Sequence, residues 1–241
     1  MELLDKLNIK LLGKPNRIAV AELVRTLELS ARDKKFLESR ISSIYLVSIL
    51  NDEILKIRAY EDENFSFQSI YVCEIELKTD KDLKILLKFI HSAFVEPSLI
   101  LIKYNNTSYI SCAEKRLNKL NNDKCVIEDV YFEKVTGDHN FNLKDISEKN
   151  LKLYYEKIIQ KIFVLKVFNN IGIKIDNINY DYKKIKELIK QYEELVINKN
   201  NLEIEYKNEK MFRDKIKIDK EICKINQKIS KIVSDIKGDN C

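Results

Sequence analysis

The spacing of apolar side chains changes character three times along the chain. Near the N-terminus, Ile18, Ala21, Leu23 and Val24 form one stripe at helical spacing, and a second short helix carries Phe36 and Leu37. Ser30, three residues before Asp33, forms a capping pair that opens this second helix. Two short helices in succession also outline a helix-turn-helix. With neither a Gly turn nor a basic second helix, they read instead as a pair packed on a sheet.

From Ile41 the pattern turns to β. Ile44–Leu50 (IYLVSIL) and Ile70–Leu77 (IYVCEIEL) are rich in β-branched and aromatic residues, with a polar loop, Tyr60–Ser69, between them. Asp80 is expected to open an amphipathic helix with Leu83, Leu86, Leu87, Ile90 and Phe94 on one side, which Pro97 ends. Ser98–Tyr104 and Ser108–Glu114 flank Asn105-Asn106-Thr107, a hairpin signature because Asn tolerates positive φ. Val126–Val135 supplies another strand, giving the order helix-helix-β-β-helix-β-β-β.

Beyond this body the pattern becomes helical throughout. Thr136–Asn140 (TGDHN) reads as a boundary loop, after which Asp145 or Ser147 is expected to cap a helix bearing Leu151, Tyr154, Ile158, Ile162 and Leu165. From Asp181, Ile185, Leu188, Tyr192, Leu195 and Leu202 take heptad positions, with Lys199 interrupting. A second run, Ile218, Ile222, Ile225, Ile229, Ile232 and Ile236, keeps an unbroken 4-3-4-3-4 spacing out of phase with the first. The tail therefore either stutters or folds back as a hairpin, turning at Asn198–Asn201 or near Asn208, and a dimer through the same faces is an equal reading. The fold class is α+β: a small mixed sheet with packed helices, then a C-terminal helical hairpin or coiled-coil arm. The expected organisation is a body over 1–140, a connecting helix and linker over 141–180, and a charged arm over 181–241.

Composition agrees with this outline. Only four Gly and two Pro occur in 241 residues, which favours long helices over a multi-stranded barrel. The net charge of +5 is a small excess of 43 basic over 38 acidic groups and does not by itself name a nucleic-acid partner. Five scattered cysteines without a CxxC pair, and an N-terminus lacking an apolar h-region, lead us to expect free thiols in a cytoplasmic protein. No apolar run approaches the length of a membrane span.

Two stretches carry candidate chemistry. On the strand Cys73–Lys78, alternation puts Glu74, Glu76 and Lys78 on one face. A strand ending in Glu-x-Lys is the core of the PD-(D/E)xK nuclease site, where carboxylates hold Mg²⁺ and the Lys positions water. Asp52 or Glu53 upstream is the candidate second carboxylate, so Glu53, Glu76 and Lys78 form the candidate catalytic set and Glu53 and Glu76 the metal ligands. The same pattern is also simply the polar face of a half-exposed strand. In the distal tail, residues 210–237 hold nine basic groups against four acidic ones. Lys210, Arg213, Lys217, Lys220, Lys224 and Lys228 are the candidate nucleic-acid contacts; the alternative is a solvated coiled-coil flank. His91 reads as structural and His139 as solvated. No GxxxxGK[ST], GxGxxG or GxSxG is present.

The strand segments ISSIYLVSIL, IYVCEIELK and SLILIKY, with NEKMFRDKIKIDKEI in the tail, together resemble an uncharacterised bacterial and archaeal domain family. The resemblance runs from about Lys14 into the tail, and departs near Phe94–Pro97, where a more compact Ile-Pro turn is usual. Members are often encoded beside helicases and DNA methyltransferases in restriction or anti-phage clusters. With this resemblance, the expectation is an accessory or adaptor subunit of a DNA-defence or restriction-like system, its body docking a helicase or DNA methyltransferase and its tail mediating assembly or nucleic-acid contact. A Mg²⁺-dependent nuclease and a homo-oligomeric scaffold that never touches DNA stand as alternatives.

Overall fold

The computed structural model describes residues 2–135, 141–175 and 181–238. The expected boundary loop 136–140, with His139, and Cys241 lie outside the described residues. The chain divides into two compact units, Met1–Lys166 and Val167–Cys241.

The first unit is built on a six-stranded mixed sheet ordered β1-β2-β5-β6-β7-β8. These strands are Asn16–Arg17, Ile41–Asn51, Ser69–Leu77, Ser98–Tyr104, Thr107–Asn118 and Asn121–Lys134. Every neighbouring pair is antiparallel except β5 and β6, which run parallel and are joined by the helix α5 (Leu83–Ser92). A parallel connection needs such a crossover, because a tight turn cannot reverse the chain twice. β5 and β6 are central strands with helices on both faces, which is why IYVCEIEL and SLILIKY read as nearly continuous apolar runs.

Two cores flank the sheet. On one face Ile70, Val72, Leu99, Leu101 and Ile110 pack with Leu4 and Leu7 of α1 (Glu2–Leu7) and with Tyr154, Tyr155, Ile158 and Ile162 of α6 (Leu151–Ile171). On the other, Cys73, Ile75, Ile100 and Ile102 meet Leu86, Leu87 and Ile90 of α5. Leu23 of α2 (Val20–Thr26) and Leu37 of α3 (Ala31–Arg40) complete this second core, so the N-terminal helical pair packs on the sheet. Ser30 caps α3 by accepting from Asp33 N at 3.2 Å.

Several local boundaries differ from the sequence pattern, each for a definable reason. The loop Tyr60–Ser69 contains a short hairpin of two-residue strands, β3 (Tyr60–Glu61) with β4 (Ser66–Phe67), closed by Asp62 accepting from Asn64 N and Phe65 N. α5 starts at Leu83, not at Asp80, because Asp82 sits in the left-handed region (φ 56°). Asp80 instead accepts from the Tyr109 hydroxyl at 3.3 Å. β8 begins five residues before the expected Val126. α6 is capped by neither Asp145 nor Ser147: Asn150 Oδ1 accepts from Leu153 N at 2.9 Å. The hairpin between β6 and β7 turns where expected, with Asn105 at φ 50°.

α6 ends at Ile171, and Gly172 just after it has a φ of 74°, a helix stop that only Gly adopts freely. Two 27-residue helices follow, α7 (Tyr182–Asn208) and α8 (Phe212–Gly238), which pack against each other as a hairpin. Asp181 caps α7 by accepting from Lys183 N and Lys184 N, both at 3.1 Å. Asn198–Asn201 stays helical, and the turn is Glu209–Met211, the later of the two expected places. Glu209 shapes it by accepting from Lys210 N and Met211 N at 2.7 Å. The 4-3-4-3-4 isoleucine run is the inner face of α8: Ile218, Ile232 and Ile236 are buried and Ile222, Ile225 and Ile229 half-buried. Lys199, the interruption in α7, is half-buried with its charge 3.7 Å from Glu203.

Candidate functional site

The Glu-x-Lys strand end lies where it was expected, at the carboxyl end of β5 beside the parallel strand β6. In open α/β sheets this is the usual position of a ligand crevice. The side chains there are committed to one another. Glu74 Oε2 and Lys103 Nζ form an ion pair at 2.6 Å, and Glu76 Oε2 accepts from the Ser43 hydroxyl at 3.3 Å. Burial pulls the Lys103 pKa down, but the Glu74 carboxylate, helped by Glu76, more than offsets it and holds the lysine above its ordinary range. Lys78 donates from Nζ to the Glu38 carbonyl at 2.7 Å and from its backbone N–H to the Arg40 carbonyl. It thereby ties the strand end to the end of α3.

Glu53 does not join this group. It sits exposed on the short helix α4 (Asp52–Leu55), directly after β2. Asn51 at that end of β2 pairs with Ser69, whereas Glu76 pairs with Ser43 at the other. Seven residues of strand separate the two ends, roughly 20 Å at ~3.3 Å per residue. An Mg²⁺ ion needs oxygens at about 2.0–2.1 Å, so Glu53 and Glu76 do not share one. Among the described residues no group of three His, Cys, Asp or Glu side chains is arranged to hold a metal. The residues present do not fit the Mg²⁺ ion that the nuclease reading requires.

A second polar cluster, absent from the sequence reading except for His91, is buried under the end of α5. The His91 imidazole is fully buried, with Nδ1 2.8 Å from Ser98 Oγ and Nε2 3.0 Å from Ser111 Oγ. The Lys115 ammonium reaches from β7 to the last carbonyls of the helix and its exit loop: His91 at 3.3 Å, Phe94 at 2.6 Å, and Glu96. A cation at a helix C-terminus meets the negative end of the dipole and satisfies carbonyls that the helix leaves unpaired. The Tyr155 hydroxyl accepts from Ala113 N at 3.1 Å and shares its proton between the carbonyls of Ser98 (3.0 Å) and Ala113 (3.2 Å). This network fastens α5, β6, β7 and α6 together as a structural lock.

Burial pushes the His91 pKa well below its ordinary value, and the nearby Lys115 charge adds to the effect. Below about pH 6.5 the unfolded chain takes up a proton that the folded chain refuses, so stability falls as pH falls. Wild type is expected to lose stability between pH 6.5 and pH 5 faster than His91→Gln, by up to about 1.4 kcal/mol per pH unit. Urea unfolding of both proteins across that range checks it, and parallel pH curves would contradict it.

The hairpin of the second unit exposes several large apolar side chains around its turn. Met211 and Phe212 at its turn are 64% and 78% exposed, and Ile204, Tyr206 and Ile216 beside them are exposed too. The Lys215 ammonium stands 5.3 Å above the Tyr206 ring. Of the basic residues singled out in the sequence, Lys210 lies in the turn, while Arg213, Lys217, Lys220, Lys224 and Lys228 lie along α8; all are exposed. No helix among the described residues is long and apolar enough to cross a membrane.

The architecture thus defines a protein with a mixed-sheet body locked by an internal polar network and a helical hairpin with an apolar tip. A family model described as a domain of unknown function, DUF4391, matches residues 11–229, and the chain belongs to that family. No curated protein matches the chain, and no solved structure does.

Proposed function

We propose that the protein is an accessory or adaptor subunit that docks a larger protein partner through the tip of the α7–α8 hairpin. The observation that carries this reading is the exposure of Ile204, Tyr206, Met211, Phe212 and Ile216 around one turn. Large apolar side chains gathered on a surface mark interaction sites, and aromatic residues, Met and Arg are the types enriched in interface centres. Around the turn Lys207, Lys210, Arg213 and Lys215 alternate with Glu203, Glu205, Glu209 and Asp214, so the rim is of mixed charge and the apolar side chains carry the contact.

The resemblance seen in the sequence suggests the setting: a bacterial DNA-defence or restriction-like system with a helicase or DNA methyltransferase as the partner. Co-expression of the chain with such a protein encoded beside its gene is the test. A stable complex that Met211→Glu with Phe212→Glu abolishes supports the reading, and a complex indifferent to those substitutions overturns it.

A further inference from the structure

We infer that the outer face of α8 is a binding site for the phosphate backbone of a duplex nucleic acid, independent of the protein-docking tip. At 3.6 residues per turn, Arg213, Lys217, Lys220, Lys224, Lys228 and Lys231 fall within a sector of about 80°. They run for about 27 Å along the helix. All six are exposed, and only Lys217 has an ion-pair partner among the described residues, Asp214 at 2.6 Å. The isoleucine face that packs toward α7 is centred about 120° away, so the stripe points outward.

The arrangement selects among polyanions. Rigid, evenly spaced cations match a regular array of phosphates, and each phosphate neutralised releases counterions. A single strand would need aromatic platforms for its bases; the sector holds none, and Phe212 stands alone at one end. A membrane-surface helix inserts its apolar face among lipids, whereas the apolar face of α8 is already occupied within the hairpin. Asp235 falls in the same sector one turn past Lys231 and closes the stripe at that end. Contacts of this kind read no base sequence.

Fluorescence anisotropy of the full chain with a random-sequence DNA duplex of about two turns tests the site. Binding is expected to weaken with salt, with a log–log slope of about −3 to −5 for three to five phosphates. Lys220→Glu with Lys224→Glu should reduce affinity at least tenfold at ~50 mM salt and flatten the slope by about 2 units. Lys220→Gln with Lys224→Gln should show a smaller loss in the same direction. Lys183→Glu with Lys190→Glu makes the same change of net charge on α7 and should leave tighter binding than the stripe reversal. A duplex RNA of equal length distinguishes the source of the phosphates, since the stripe itself accepts either. Equal losses in the stripe and α7 reversals overturn the site, as do a salt-independent affinity, a preference for single strands, and stronger binding to anionic vesicles than to duplex. The docking proposal is read from Met211 and Phe212 variants, so either can fail without the other.

Discussion

Replacing Lys115 with Met is expected to destabilise the first unit by about 3 kcal/mol or more, lowering its unfolding midpoint by roughly 6–12 °C. Lys115 is fully buried, and its pKa is drawn down to about 8, with desolvation as the main cause. Its burial is therefore costly. The cost is offset by the carbonyls of His91, Phe94 and Glu96, which close the end of α5 and the loop that delivers β6. A methionine fills the volume but donates nothing, so the Glu96 carbonyl loses the ammonium, and His91 O and Phe94 O keep the longer contacts from Phe94 N and Cys125 Sγ, both at 3.4 Å. Apolar replacement of buried charges is neutral where the partners leave as well; here the backbone stays. The pH dependence has a defined sign. Between about pH 8 and pH 10.5 the unfolded lysine holds a proton that the folded one releases. Wild-type stability should consequently gain on Lys115→Met as pH rises through that window. Differential scanning calorimetry of the two proteins decides it; equal midpoints at pH 7 would show that the lock is not structural.

Met211→Glu with Phe212→Glu should behave in the opposite way: little change in stability, near-complete loss of partner binding. Both side chains are mostly in water in the free protein, and exposed substitutions usually shift stability by less than about 0.5 kcal/mol. In a complex the same residues would sit at the centre of the contact, where truncation of an anchor costs about 2 kcal/mol or more. Two charged replacements at the centre of an apolar contact should reduce affinity by at least about 100-fold. Circular dichroism confirms that the hairpin persists, and titration calorimetry measures the loss.

The sequence was most legible where periodicity and burial coincide. The isoleucine run of α8 fixes which face turns inward, and the apolar runs at Ile70–Leu77 and Ser98–Tyr104 belong to strands buried on both faces. Glu53 shows the limit. Its distance from Glu76 along the chain suits a metal pair, but the connection from β2 to β5 leaves Glu53 near the start of β5 and carries Glu76 to the far end. In an antiparallel pair, residues flanking the connection are neighbours and those at the strand ends are not. Lys115 left a fainter signal. It follows Ser111 and Ala113 on the inward parity of β7, where a charge is out of place and two small residues leave room for α5. What it reaches for, the end of a helix some twenty residues earlier, is a matter of tertiary packing. The tip of the hairpin was hidden for another reason: the exact turn between α7 and α8 decides whether Met211 and Phe212 sit at a tip or on a helix flank.

The most direct test of docking through the hairpin tip is size-exclusion chromatography with light scattering of the full chain co-expressed with a candidate helicase or DNA methyltransferase partner. One co-eluting complex is expected with wild type, and separate species with Met211→Glu/Phe212→Glu. Glu76→Ala should leave the complex intact. Co-elution undiminished by the two tip substitutions would contradict it.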